Sequence, residues 1–193
     1  MREREVMKGE DKKMIYLFLA NGFEEIEALC PLDLLRRAGL SVTTVGVGGA
    51  DTVIGAHGIA VGADIPDTLY RDSSPDMIIL PGGMPGTRNL DASSTVESAL
   101  RASRAKDTYI AAICAAPMIL GKRGFLEGKR ATCFPGFEEY LTGAILADTR
   151  VVRDGRIITA AGMGVALEFG LALVAALKGE ETARELRSAV LAD

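Results

Sequence analysis

Short apolar runs alternate along this chain with longer stretches in which apolar positions recur every three or four residues. Met14 to Ala20 (MIYLFLA), Met77 to Leu80, Tyr109 to Ile113 and Ile157 to Ala160 are apolar at consecutive positions. Strands buried on both faces of a sheet read this way. Ser41 to Val47 reads as a further strand, and Val53-Ile54 with Ile59-Ala60-Val61 as a small hairpin around Gly55 to Gly58. Asn21-Gly22-Phe23-Glu24 predicts a helix start, with Asn21 as N-cap and Glu24 three residues on. That helix runs to about Arg37, ends at Gly39 and contains Pro31, which is expected to kink it. Helices are also expected at 94–105, from the residues after Cys114 to about Lys122, at 165–177 and at 180–190. Ala131 to Cys133 reads as a short strand, and 149–152 with 156–159 as a hairpin turned at Asp154-Gly155. Strands alternating with helices predict an α/β fold, a largely parallel sheet covered on both faces.

Composition narrows the function classes. The 193 residues suit one domain, expected over 14–193, with 1–13 as a charged, disordered extension; Met7 and Met14 offer later start points. Net charge is −4 and no Lys/Arg-rich patch follows the N-terminus, which argues against nucleic acid as partner. The apolar runs are too short to span a bilayer, and the N-terminus has no apolar secretory core, so neither a membrane nor export is expected. Three widely spaced cysteines without a CxxC pair point to a reducing cytoplasm, with no disulfide framework and no metal. No GxGxxG or P-loop is present, and no cofactor is expected.

In an open parallel sheet, ligands gather outside the carboxyl ends of the strands. Cys114 follows one such strand and precedes a helix, where N–H groups and the helix dipole are expected to lower its thiol pKa. A cysteine is equally at home as a small buried hydrophobe. Glu24, Glu25 and Glu27 follow the first strand: Glu24 reads as a cap and dipole partner, Glu25 as part of a solvated face, and Glu27 as the acid that can lean back over the strand ends. In a dry crevice such a carboxyl holds its proton and can hydrogen-bond a thiolate; ionised, it can act as a base. Gly82 and Gly83 follow a third strand end, as a plain turn or as a source of N–H donors to an oxyanion. Phe134-Pro135-Gly136 and Gly162-Met163-Gly164 follow later strands. Cys30 reads as packing. Cys133 reads as a buried strand residue, or as a resolving thiol if it lies near Cys114.

Leu19 to Glu27 (LANGFEEIE), Leu80 to Gly83 (LPGG) and Ala111 to Pro117 (AAICAAP), in that order, resemble the ThiJ/PfpI superfamily. The similarity is to the branch of the Parkinson-disease-associated deglycase and its bacterial relatives, and Asp33, Arg36 to Gly39 and Glu168-Phe169 match it too. The resemblance implies a flavodoxin-like three-layer sandwich of the class I glutamine amidotransferase type, and a homodimer. It implies that Cys114 is the reactive cysteine, that Glu27 hydrogen-bonds it, and that Gly83 and Ala115 supply backbone donors. Gly82, Phe134 and Met163 would line the pocket, with Arg37 approaching from the partner subunit. Ala115 stands where the protease-like branch has histidine, Phe134 where some deglycase-branch members have one, and Met163 where relatives have proline. The single histidine, His57, lies in the small hairpin, so a Cys–His dyad, proteolysis and glutamine amidotransfer are not expected. The leading expectation is a cysteine-dependent enzyme acting on small reactive aldehydes or glycated side chains, a glutathione-independent glyoxalase or deglycase. The alternatives are a redox sensor or stress chaperone working through Cys114 oxidation and, more remotely, a role in thiazole monophosphate biosynthesis.

Overall fold

A computed structural model of the chain describes residues 13–71 and 75–192. Most of the expected N-terminal extension therefore lies outside the described residues. Lys13, at its end, is ion-paired to Asp76 at 3.0 Å. Seven strands form one sheet. In chain order they are β1 (Met14–Leu19), β2 (Ser41–Gly46), β5 (Ile65–Pro66), β6 (Met77–Leu80), β7 (Tyr109–Ile113), β10 (Val151–Asp154) and β11 (Ile157–Ala160). Their spatial order is β10-β11-β7-β6-β1-β2-β5, parallel throughout except for the antiparallel edge strand β10. Two small ribbons stand apart: β3 (Thr52–Ile54) with β4 (Ala60–Gly62), and β8 (Arg130–Ala131) with β9 (Ile145–Leu146).

Because side chains alternate across a strand, the apolar runs feed two cores. Ile15, Leu17, Met77, Ile79, Ala111 and Ile113 face one layer. There they meet α1 (Glu25–Arg37), α5 (Ala166–Lys178) and α6 (Glu180–Ala189). Tyr16, Phe18, Ile78, Leu80, Ile110 and Ala112 face the other. There they meet α2 (Gly86–Ala92), α3 (Ser94–Ser103) and α4 (Pro117–Lys122). This is the flavodoxin-like three-layer sandwich expected from the sequence. No described helix is long and apolar enough to cross a membrane.

Three expectations need correction, and one helix was not expected. The first helix is capped by Glu24, whose side chain accepts the Glu27 N–H at 2.7 Å; Asn21 instead accepts from Ile54 N at 2.9 Å, tying the β3–β4 hairpin to the end of β1. Glu25 is buried at 2% exposure rather than solvated. The strand expected at 131–133 is β8, displaced to Arg130–Ala131. Helix α2 was hidden because Gly83, Pro85 and Gly86 at its start read as turn.

The parallel strands β1, β6, β7 and β11 are neighbours, so their carboxyl ends open on one side of the sheet. From β1 the chain turns to β2 on one side, and β6 lies on the other. The crevice between them is the switch point where such sheets bind ligands.

Candidate active site

Glu27 stands one turn into α1 and is 1% exposed. Its Oε2 accepts the Gly82 N–H at 3.0 Å. The Met163 N–H and the Cys114 thiol also face the carboxyl. Cys114 is half-buried, on the elbow between β7 and α4, with φ at 65°. That left-handed conformation is uncommon for a residue with a side chain and marks a held, strained turn. Its ends are pinned: Cys114 N–H donates to Ala160 O at 2.8 Å, and Cys114 O accepts Phe134 N–H at 2.9 Å. The backbone N–H groups of Ala115 and Gly83 point at its sulfur.

Glycine lets these parts close up. A β-carbon on Gly82 would fall 2.5 Å from Glu27 Oε2 and 2.6 Å from Cys114 Cβ. Gly83 has φ +88°, and a β-carbon there would lie 2.3 Å from Glu24 N. The third wall is looser. Phe134 is 47% and Met163 53% exposed, and a β-carbon on Gly162 would sit 3.2 Å from the Phe134 ring and 3.9 Å from Glu27 Oε1. The crevice thus has a polar floor, the thiol and carboxyl, and an apolar rim.

Burial sets the electrostatics. It pushes the Glu27 carboxyl up to about 7, the Glu24 charge adding to it, while the Cys114, Gly82 and Met163 hydrogen bonds pull back. The Cys114 thiol is pushed up to about 12, by burial first and then by the neighbouring Glu27 carboxylate, against the pull of the Ala115 and Gly83 N–H groups. The helix-dipole expectation of a lowered thiol pKa is thus reversed. Helix α4 has only six residues, and its N-terminal push is outweighed by a dry setting and an adjacent negative charge. Thiol and carboxyl titrate as one unit that releases its first proton near neutrality. With Glu27 protonated, the repulsion vanishes and its O–H can donate to sulfur.

The structure brings Cys114, Glu27, Gly82, Gly83, Ala115, Phe134 and Met163 together. Arg37, expected to act from a partner subunit, is paired within its own chain to Asp33 at 2.5 Å on the exposed face of α1. Arg37 lies ten residues beyond Glu27, about 15 Å along the helix axis. Cys133 is buried in the core layer of α2, α3 and α4, whereas Cys114 packs against the other layer, although the Phe134 N–H bond to Cys114 O brings the two backbones together. Residue-by-residue reading missed one feature. Glu25 holds His57, its oxygens accepting His57 N–H at 2.8 Å and meeting Nδ1 at 2.8 Å, which fixes the β3–β4 hairpin beside the site. Glu24, read as a cap, does cap the first turn that carries Glu27. The three adjacent acids were the available signal, but their order of roles was not. Among the described residues, Glu24, Glu25 and His57 place donor atoms within 4.8 Å of one another. Both Glu25 oxygens are engaged by His57, and one Glu24 oxygen by the Glu27 N–H, so no metal site is built from them.

Comparison with known proteins bears on the family and the fold. Residues 13–176 match the model of the DJ-1/PfpI family. The chain is 39% identical over 182 residues to protein DJ-1 homolog A of Arabidopsis thaliana; the match covers 93% of the chain but only 46% of that longer protein. It is 32% identical over 177 residues to the glutathione-independent glyoxalase DJR-1.2 of Caenorhabditis elegans, covering 91% of the chain and 94% of the relative. The solved structure of oxidized Toxoplasma gondii DJ-1 superposes with a TM-score of 0.89 at 32% identity, covering 93% of this chain and 98% of that one. The chain belongs to the DJ-1/PfpI family.

Proposed function

We propose that this protein is a cysteine-dependent, glutathione-independent glyoxalase acting on small 2-oxoaldehydes, with removal of early aldehyde adducts from protein side chains as a related activity. The observation that carries this reading is the close pairing of Cys114 and Glu27, whose Cβ and Oε2 would lie 2.6 Å and 2.5 Å from one β-carbon on Gly82, with the Gly83 and Ala115 N–H groups beside the sulfur. The thiol proton passes to Glu27, and the thiolate adds to the aldehyde carbon of methylglyoxal. Glu27 returns the proton to the new oxyanion, which Gly83 and Ala115 N–H groups stabilise, giving a hemithioacetal. The Glu27 carboxylate then takes the hydrogen from that carbon as a proton, leaving an enediolate, and delivers it to the neighbouring carbon while the hydroxyl proton of the first carbon moves to the second oxygen. The product is a lactoyl thioester on Cys114. Water hydrolyses it to lactate and the free thiol, so the net reaction is methylglyoxal plus water to lactate. The kinship with a protein described as a glutathione-independent glyoxalase supports the assignment.

The test is lactate formation by fully reduced protein without added thiol. Many lactates per Cys114, lost in Cys114→Ser, are expected. Consumption of no more than one methylglyoxal per Cys114 would contradict turnover. It would favour a second reading, a redox sensor whose oxidised Cys114 is held by protonated Glu27. That reading is supported by the half-exposed thiol and by kinship with a DJ-1 solved in an oxidized form.

A further inference from the structure

Glu24 sits where the two loops of the site meet. Its N–H donates to Gly82 O at 2.9 Å, and its Oε2 accepts the Glu27 N–H at 2.7 Å. Gly83 presses against its backbone. A serine or asparagine cap would satisfy that N–H equally well. A glutamate adds a negative charge within one turn of Glu27, in the same half-buried corner. The adjacent Glu25 is committed elsewhere, its charge facing His57.

We propose that Glu24 is a positioning residue for the thiol–carboxyl pair: its cap aims Glu27 at Cys114, and its charge favours passage of the thiol proton to Glu27. The proposal rests on reading Glu27 as the proton carrier. The titratable groups that face Glu27 are Glu24 on its own helix start and Cys114 on the β7–α4 elbow. The turn after β6 offers only the Gly82 N–H, the turn after β11 only the Met163 N–H, and the loop after β8 an uncharged ring at Phe134. Burial is the larger force on Glu27, and Glu24 acts in the same direction.

Two variants remove the charge and keep a cap acceptor: Glu24→Gln and Glu24→Ser. A third, Glu24→Asp, keeps both. The readouts are the Glu27 carboxyl carbon titrated by NMR and the pH dependence of Cys114 alkylation by iodoacetamide. Both are independent of aldehyde turnover, so failure of the glyoxalase reading would not be mistaken for failure here. In each folded neutral variant the Glu27 midpoint is expected to fall by about half a pH unit, the effect of one solvent-screened neighbouring charge. Alkylation should follow the lower midpoint to a lower plateau, because a more acidic Glu27 leaves the proton on sulfur. Glu24→Asp should retain the higher midpoint. An unchanged or raised midpoint in either folded neutral variant would overturn the proposal and leave Glu24 as a helix cap only.

Discussion

Glu27 and Cys114 divide one proton under opposing pulls. Two backbone N–H groups, from Gly82 and Met163, stabilise a carboxylate, and two, from Gly83 and Ala115, stabilise a thiolate. Burial decides between them: with the carboxyl at about 7 and the thiol at about 12, the proton they share rests on sulfur, and the N–H donors on both sides ease its transfer to Glu27. Burial also carries a stability consequence. Glu27 is raised from 4.5 to about 7, so between these pH values the folded chain keeps a proton that the unfolded chain has released. Stability from this group is therefore greatest below pH 4.5 and falls as pH climbs to 7. Glu27→Gln removes the titration. Relative to wild type it should gain on the order of 2–4 kcal/mol between pH 4.5 and 8, read from denaturant unfolding at a series of pH values. A stability difference independent of pH would contradict the raised carboxyl. The identities of Cys114 and Glu27 were legible in the sequence. Their electrostatics were not, because the dryness around them is made by turns after β6, β8 and β11 that are remote in the chain.

At the scale of elements, the continuous apolar strands were legible nearly to the residue: β6, β7 and β11 begin and end where MIIL, YIAAI and IITA do. The start of α1 was misread because Asn21 and Glu24 fit a capping box in sequence, while Asn21 is drawn away by the backbone of Ile54. Glu25 was misread as solvated because His57, its partner, comes from a hairpin 32 residues on. Two glycines separate packing from chemistry. A β-carbon on Gly170 in α5 would lie 2.6 Å from Leu34 Cδ1 and 3.0 Å from Pro31 Cα, across the contact with α1. Gly170→Ala should destabilise by about 1–3 kcal/mol while largely keeping turnover. Gly83→Ala should destabilise by a similar amount and also lose turnover, since it combines left-handed backbone with a collision at Glu24 N. Thermal unfolding beside lactate assays checks both; equal activity loss in the two would contradict the division.

Over the whole molecule, Cys114 and Cys133 run side by side in backbone, through the Phe134 N–H bond to Cys114 O at 2.9 Å, while their side chains pack with different core layers. Graded peroxide should therefore add oxygen mass to the Cys114 peptide, and an intramolecular disulfide between these two residues is not expected in intact and peptide mass spectra. The homodimer belongs to the proposal. Ile26, Ile54 and Ile59 are exposed, and the hairpin bearing the latter two is hydrogen-bonded to the segment leading into α1. If this face joins two subunits, Ile26→Asp should shift the protein toward monomer in light scattering at micromolar concentration. An unchanged mass would exclude Ile26 from the interface. Fold class was legible because strand–helix alternation is written in consecutive residues. A shared interface, and any role for Arg37 across it, involves a second chain.

The central claim is that Cys114 and Glu27 together turn an aldehyde into a hydroxy acid. It is tested most directly by proton NMR of methylglyoxal turnover by reduced protein in D2O. Expected are many lactates per Cys114, deuterium at C2 from a carboxyl that exchanges with solvent, and a loss of at least about 100-fold in rate in Glu27→Gln. Substrate consumption stopping at one equivalent, or an undiminished rate in Glu27→Gln, would contradict the account.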